Sequence, residues 1–528
     1  MDSDSIPGLR DLAPWDLERA AMLWPGRTAV IDTDHGIRYS YDDLRDRALA
    51  TAGWLYQHGV REGDRVAVLS LNGVPLLDLF FACARLGAIL VPWNWRLSRR
   101  ELGDMFADTE PGMILVTTEF EELSRSLPRH TQSICLDGPE GIASEILSCT
   151  TGHPERCARM TDPWLILYTG GTTGTPKGAV LTRGSVTGNS VNTVVSWGLG
   201  YQDVGPVFTP AFHTGFWNVF TLPLLLVGGC VLIPQRFDAG DALEVLVRER
   251  PSICFMVPTM FQLVAEEPGF DDADLSSLRW AISGGAPLPA PVFERWRSKV
   301  RIFKQGYGLT EVGPNNFATP DDPNLNKPGT VGRLTYFASA RIVDDDGHNV
   351  AVGESGELLL AGPHMCAGYW GRPEATKEAI RDGWFHTGDV ARKDMDGYYY
   401  IVDRKKDLVI TGGENVFPSE VETVLYSHPA IRECAVVGTP DPVWGEAVTA
   451  IVALNQGYSI TVDELRSYTR ENLARYKCPK EIIFADTLPK TGANKISRAG
   501  ARELAIAQLQ PKDERSEPIA EGQPDREN

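Results

Sequence analysis

The chain has 528 residues, more than one hydrophobic core ordinarily supports, so two or more domains are expected. Hydrophobic residues make up 43% and charged residues 23%, ordinary for a soluble globular protein. The formal net charge of -19 argues against nucleic acid and anionic membranes as partners, because both need a basic face; it leaves small anionic substrates open, since local N–H groups and lysines override a global field. The nine cysteines lie singly between Cys83 and Cys478 with no C-x-x-C pair, which predicts reduced thiols in a cytoplasmic protein and no zinc site. The acidic start Met1-Asp2-Ser3-Asp4-Ser5 lacks the apolar run of a signal peptide. The longest apolar stretch, Val219 to Pro234, is interrupted by Pro223, Gly228 and Gly229 and falls short of the roughly 20 residues of a membrane span, so buried core is expected there and no integral membrane segment.

Along the chain, the β-branched run 65–70 precedes a helix-like stretch from Pro75 to Leu86, and 87–92 reads as a second buried strand. This order predicts βαβ units and a mainly parallel sheet, with further buried strands at 164–168, 229–233 and 253–257. The strand ending at Tyr168 runs into Thr169-Gly170-Gly171-Thr172-Thr173-Gly174-Thr175-Pro176-Lys177-Gly178. Four glycines let backbone N–H groups converge on an anion, four threonines add hydroxyl donors, and Lys177 adds charge, a composition suited to a polyphosphate. It is not the common NTPase P-loop, which needs G-K-[ST]. Pro210-Ala211-Phe212-His213-Thr214-Gly215-Phe216-Trp217-Asn218 is aromatic and carries one histidine. Two small-residue turns follow strand-like runs: Ser283-Gly284-Gly285-Ala286-Pro287-Leu288 and Gln305-Gly306-Tyr307-Gly308-Leu309-Thr310-Glu311. Small residues let a planar ring lie against backbone, and Tyr307 offers a face for stacking. A dinucleotide fingerprint fails here because Glu311 stands where the third glycine belongs.

Near residue 340 the pattern changes. The runs 340–343, 356–360 and 398–402, separated by Asp/Gly turns, predict an antiparallel sheet. Asp389 closes Trp384-Phe385-His386-Thr387-Gly388-Asp389, and the charged run Asp403-Arg404-Lys405-Lys406-Asp407 separates two apolar strands. A domain boundary is placed there: an N-terminal domain over 1–403, a small α/β domain over 404–510, and an acidic tail over 511–528 with little to bury, expected to be disordered. The small domain contains the glycine turn Thr411-Gly412-Gly413-Glu414-Asn415 and the loop Leu488-Pro489-Lys490-Thr491-Gly492-Ala493-Asn494-Lys495-Ile496.

The segment Tyr168 to Gly178 closely resembles the signature loop of the adenylate-forming superfamily, which includes acyl- and aryl-CoA ligases, beetle luciferases and peptide-synthetase adenylation domains. Gly170 stands where many members carry Ser, a departure shared with fatty-acyl-CoA ligases. The resemblance covers nearly the whole chain, with the remaining motifs in the family's order. It implies an α/β fold with a large N-terminal domain of mixed and parallel sheets plus a β-rich part, and a small mobile C-terminal domain. It also implies roles. Thr169, Gly170, Gly171, Thr172, Thr173 and Lys177 would cradle the phosphates of ATP. Gly284, Gly285, Ala286, Gln305, Gly306, Tyr307 and Gly308 would enclose adenine. Thr310 would contact phosphate, and Glu311 would hold Mg2+ with Thr172. Asp389 would accept the ribose hydroxyls, with Arg404 beside it. His213 would border the acid or the pantetheine channel. Lys495 would bridge carboxylate and α-phosphate during adenylation, Lys406 would be the hinge, and Gly412 and Gly413 would line the pantetheine tunnel of coenzyme A. Asn494 replaces the glycine usual before this lysine, a substitution the turn tolerates because Asn accepts positive φ.

The resemblance implies a ligase that activates an apolar carboxylic acid with ATP and Mg2+ and passes the acyl group to coenzyme A. Phe216 and Trp217 are expected to shape the acid pocket for a bulky, ring-bearing or shorter acid. Two alternatives stand beside this reading: loading of an acyl carrier protein, and a non-catalytic nucleotide-binding scaffold. The retained Glu311, Asp389 and Lys495 speak against the scaffold. The oligomeric state is left open, a homodimer included.

Overall fold

The computed structural model describes residues 16–125, 127, 132–137, 142–150, 152, 158–169, 176–286, 288–322, 325, 327, 329–490 and 496–509. The chain divides into two compact units, Met1–Lys405 and Lys406–Asn528.

The first unit is built on a six-stranded sheet in the order Gln132–Cys135, Met113–Val116, Arg65–Leu69, Ile89–Pro92, Pro163–Thr169, Lys177–Thr182. Five of these strands run parallel, and the last pairs antiparallel with its neighbour. The helix Val74–Leu86 makes the expected crossover and is apolar nearly all round, so it is buried on most of its surface. It stops at Gly87, whose φ of 72° suits the left-handed cap. A second parallel sheet joins Ile253–Met256, Trp280–Ser283 and Phe303–Gln305. The Val219–Pro234 stretch is core, as expected: it contains the helix Leu222–Leu226 and the buried strand Cys230–Ile233. No helix among the described residues is long and apolar enough to cross a membrane. From residue 339 the sheet becomes antiparallel, joining Ser339–Val343, Ser355–Ala361, Trp384–Lys393 and Tyr399–Arg404.

The second unit, taken by itself, carries a five-stranded sheet dominated by the long antiparallel pair Ile431–Asp441 and Gly445–Leu454. The helices Pro418–Tyr426, Val462–Asn472 and Arg498–Leu509 accompany this sheet. Arg498 ties its first and last parts together, reaching Glu422 at 2.6 Å and Asp407 at 3.2 Å. The sequence region 511–528 lies outside the described residues.

Candidate active site

The phosphate-type loop is flanked by two antiparallel strands. Thr169 ends one strand, Lys177 begins the next, and the two are paired across the base. Gly170, Gly171, Thr172 and Thr173 lie outside the described residues. Beside this base stands Glu311, only 8% exposed. Its Oε1 accepts from the Thr169 hydroxyl at 3.1 Å and from the Tyr369 hydroxyl at 2.9 Å. Both donors are neutral, and among the described residues no Lys or Arg forms an ion pair with Glu311. No group of three or more His, Cys, Asp or Glu among the described residues is placed to hold a metal unaided. One carboxylate of this kind fits Mg2+ shared with phosphate oxygens, the usual arrangement for that ion.

The nucleotide-type turns extend from the carboxyl ends of the second parallel sheet, where open α/β sheets bind ligands. The two turns are knitted together by Gly306 N–H donating to the Ser283 carbonyl at 2.7 Å. A Cβ on Gly308 would overlap the backbone of Pro314, so the tight return of this loop requires glycine there. Gly285 adopts φ 85°, a left-handed conformation that also favours glycine. Gly284 and Ala286 flank Gly285 in the first turn, and Thr310 sits half-buried just before Glu311.

Asp389 and Arg404 are directly paired across adjacent strands. The guanidinium Nε lies 3.0 Å from Asp389 Oδ1, while the Tyr307 hydroxyl donates to Oδ2 at 2.5 Å. Tyr307 therefore does more than offer a face. Its hydroxyl is anchored, and burial beside the Asp389 carboxylate pushes the phenol well above its ordinary pKa, so it remains a donor.

The aromatic segment requires a correction. Phe216 and Trp217 are both 0% exposed and fill the core instead of shaping a pocket. Trp217 stacks on Phe80 at 4.8 Å, Phe80 stacks on Trp164 at 4.1 Å, and the indole N–H donates to the Ala211 carbonyl at 2.6 Å. Here the chain forms a π-helix over Gly215–Thr221, a turn type frequent at functional sites, and that winding places both rings inward. His213, half-buried, lies against Phe212 at 4.6 Å between ring centroids. The aromatic ring that sequence reasoning missed is Phe255, near the carboxyl end of its strand and half-buried. A Cβ on Gly215 would stand 3.3 Å from one ring edge and a Cβ on Gly284 3.4 Å from the other. The two glycines thus lie against opposite edges of this half-buried phenyl ring. The signal was an aromatic interrupting a buried strand, legible only once the glycines were known to be its neighbours.

These features agree with comparison to known proteins. The AMP-binding enzyme family model matches residues 17–370, and that of the AMP-binding enzyme C-terminal domain matches residues 420–495. The chain belongs to the AMP-binding enzyme family, within the adenylate-forming superfamily. It is 41% identical to a feruloyl-CoA synthase of Amycolatopsis sp, with 93% of this chain and 98% of that protein covered. It is 35% identical to an indoleacetate–CoA ligase of Aromatoleum aromaticum, covering 94% and 98%. Among solved structures, the o-succinylbenzoate CoA synthetase MenE of Bacillus subtilis, in complex with its acyl-adenylate intermediate, superposes with a TM-score of 0.83 at 30% identity, covering 92% of this chain and 97% of that one.

In the second unit of this AMP-binding enzyme, Gly412 and Gly413 form the turn of a tight hairpin, with φ of 59° and 85°. A Cβ on Gly412 would come within 2.6 Å of the Trp444 indole, whereas Gly413 has open space where a side chain would stand. Lys406 lies in the short 3-10 turn Lys405–Asp407. Lys495 lies outside the described residues; the loop that carries it is closed at its base by pairing of Lys490 with Ile496.

Proposed function

We propose that this AMP-binding enzyme is an acid–thiol ligase that activates an aromatic carboxylic acid as its acyl-adenylate and then transfers the acyl group to coenzyme A. The observation that carries the reading is the set of groups on and around the Phe303–Gln305 strand end: Glu311 beside the phosphate hairpin, and Tyr307, Asp389 and Arg404 joined in one cluster. Bound Mg2+, held by Glu311 with Thr172, would offset phosphate charge. Lys177 and the hairpin amides bind the polyphosphate, and Asp389 with Arg404 orients the ribose. Lys495 brings its ammonium between the acid carboxylate and the α-phosphate, reducing their repulsion and stabilising the charge that develops. A carboxylate oxygen then bonds to the α-phosphorus, and the bond to the bridging oxygen breaks, releasing pyrophosphate. In the second half-reaction the coenzyme A thiolate attacks the acyl carbonyl, and AMP leaves with the electrons of the acyl–oxygen bond. His213 borders the acid.

The choice of an aromatic acid is supported by the aromatic acids named in the two relatives, and the half-buried Phe255 is the ring offered to it. Scattered free thiols fit a cytoplasmic setting. The test is acid-dependent pyrophosphate release with ferulate, indoleacetate, benzoate, hexanoate, dodecanoate and acetate, followed by thioester formation with free coenzyme A. An aromatic acid should give the highest kcat/KM. Preference for acetate or dodecanoate would overturn the aromatic reading, and adenylation without use of coenzyme A would move the acceptor to an acyl carrier protein.

A further inference from the structure

Glu311 and Lys177 carry opposite charges on neighbouring loops, yet no ion pair joins them. The residue between them is Tyr369. Its hydroxyl donates to Glu311 Oε1 at 2.9 Å, and the Lys177 ammonium lies 5.3 Å from its ring centroid. The segment 366–370 is fixed on both sides. Ala179 pairs with Tyr369, Ala367 N–H and Trp370 N–H donate to Val180 and Gly178, and Val180 N–H donates back to Gly368. Cys366 N–H holds the Glu311 carbonyl at 2.7 Å. Two residues beyond Trp370, Arg372 grips Asp108 at 2.7 Å, and Asp108 accepts from the Tyr168 hydroxyl at 2.8 Å. One strap therefore holds both the base of the phosphate hairpin and the metal-type carboxylate.

We propose that Tyr369 is a positioning residue that keeps Lys177 and Glu311 apart and aimed at the ligand, its hydroxyl on the carboxylate and its ring against the ammonium. A lysine and a buried carboxylate on either side of one residue would otherwise neutralise each other, leaving neither the cation for phosphate nor the anion for metal. A neutral donor satisfies one carboxylate oxygen without cancelling its charge, and a ring face holds an ammonium while leaving its N–H groups free for phosphate. The inference rests on the reading of Glu311 as the metal carboxylate.

The two arms separate by substitution in the full-length enzyme. Tyr369→Phe keeps the ring and removes the donor. It should raise the Mg2+ concentration for half-maximal pyrophosphate release about tenfold, the effect of one hydrogen bond to a charged group, while kcat at saturating Mg2+ holds within about twofold. Calorimetric binding of ATP in the presence of EDTA should be unchanged in this variant. Tyr369→Leu removes the ring as well and should weaken metal-free ATP binding several-fold, as Lys177 turns to Glu311. Glu311→Gln is the control: if it leaves the Mg2+ dependence unchanged, the metal-site reading fails. If Glu311→Gln shifts that dependence and Tyr369→Phe does not, the metal site stands and the role of Tyr369 is overturned. Because Tyr369→Phe retains the packing of the ring, a folding failure of the leucine variant leaves this test intact.

Discussion

At the scale of single residues, Asp389 has the most demanding surroundings. It is buried, and its two oxygens face a guanidinium and a phenol. A ribose bound here must be accepted by a carboxylate already oriented by both partners, so little reorganisation accompanies binding. Asp389→Ala should therefore weaken ATP and AMP binding, and the wild type should discriminate against 2′-deoxy-ATP by about 1.5–3 kcal/mol, the range for hydrogen bonds to charged groups. Competition binding of the two nucleotides measures this. Equal affinity in the wild type, together with an unimpaired Asp389→Ala variant, would remove Asp389 from the sugar site. Asp389 and Arg404, the latter within the charged run, were singled out in the sequence by resemblance to the family's motifs, and the structure pairs them across adjacent strands. Tyr369 was not, because its importance comes from two partners lying 58 and 192 positions away.

At the scale of elements, the strands and crossover helices followed from period and punctuation. The helix expected from Pro75 to Leu86 spans Val74–Leu86, and the strand expected over 164–168 spans Pro163–Thr169. The segment after His213 did not follow. The pocket role of Phe216 and Trp217 was implied by the resemblance of this segment to the border of an acid pocket, which names the rings and not the direction in which they point. In the structure both rings, within the π-helix Gly215–Thr221, are core and not pocket wall. Trp217→Ala should consequently destabilise the first unit by about 3–5 kcal/mol, as for other buried indoles. A large drop in the urea midpoint is expected, with no gain of longer acids at temperatures where the variant stays folded. An unshifted midpoint with a lengthened acid range would restore the pocket role. Phe255→Leu is the substitution expected to change acid preference.

At the scale of the whole molecule, the chain is two compact units meeting between Lys405 and Lys406. The proposed thioester step requires the second unit to turn at Lys406, and a turn needs only a few freely changing dihedrals. Lys406→Pro fixes φ there, and Gly413→Leu puts bulk into open space at the glycine hairpin. Both variants should release pyrophosphate normally and accumulate bound acyl-adenylate instead of acyl-CoA, with the proline defect persisting at saturating coenzyme A. Full acyl-CoA yield from both would discard the hinge and the tunnel together. The sequence boundary was placed at 403/404 because a charged run between two apolar strands rarely lies inside a core; the two units divide between Lys405 and Lys406.

Arg498 gives the second unit a particular order of assembly. Its contact with Asp407 closes a loop of 91 residues, whereas the hairpin Ile431–Leu454 closes locally. Chain closure over that length loses more entropy than closing a hairpin, so the hairpin is expected to form first and the arginine clasp last. A contact made after the transition state leaves its mark on unfolding alone. Arg498→Ala should speed unfolding of the second unit roughly tenfold and leave its refolding rate untouched. The clasp then acts as a kinetic lock: it sets how long the unit that carries Lys495 stays folded between turnovers, independently of how quickly it folds.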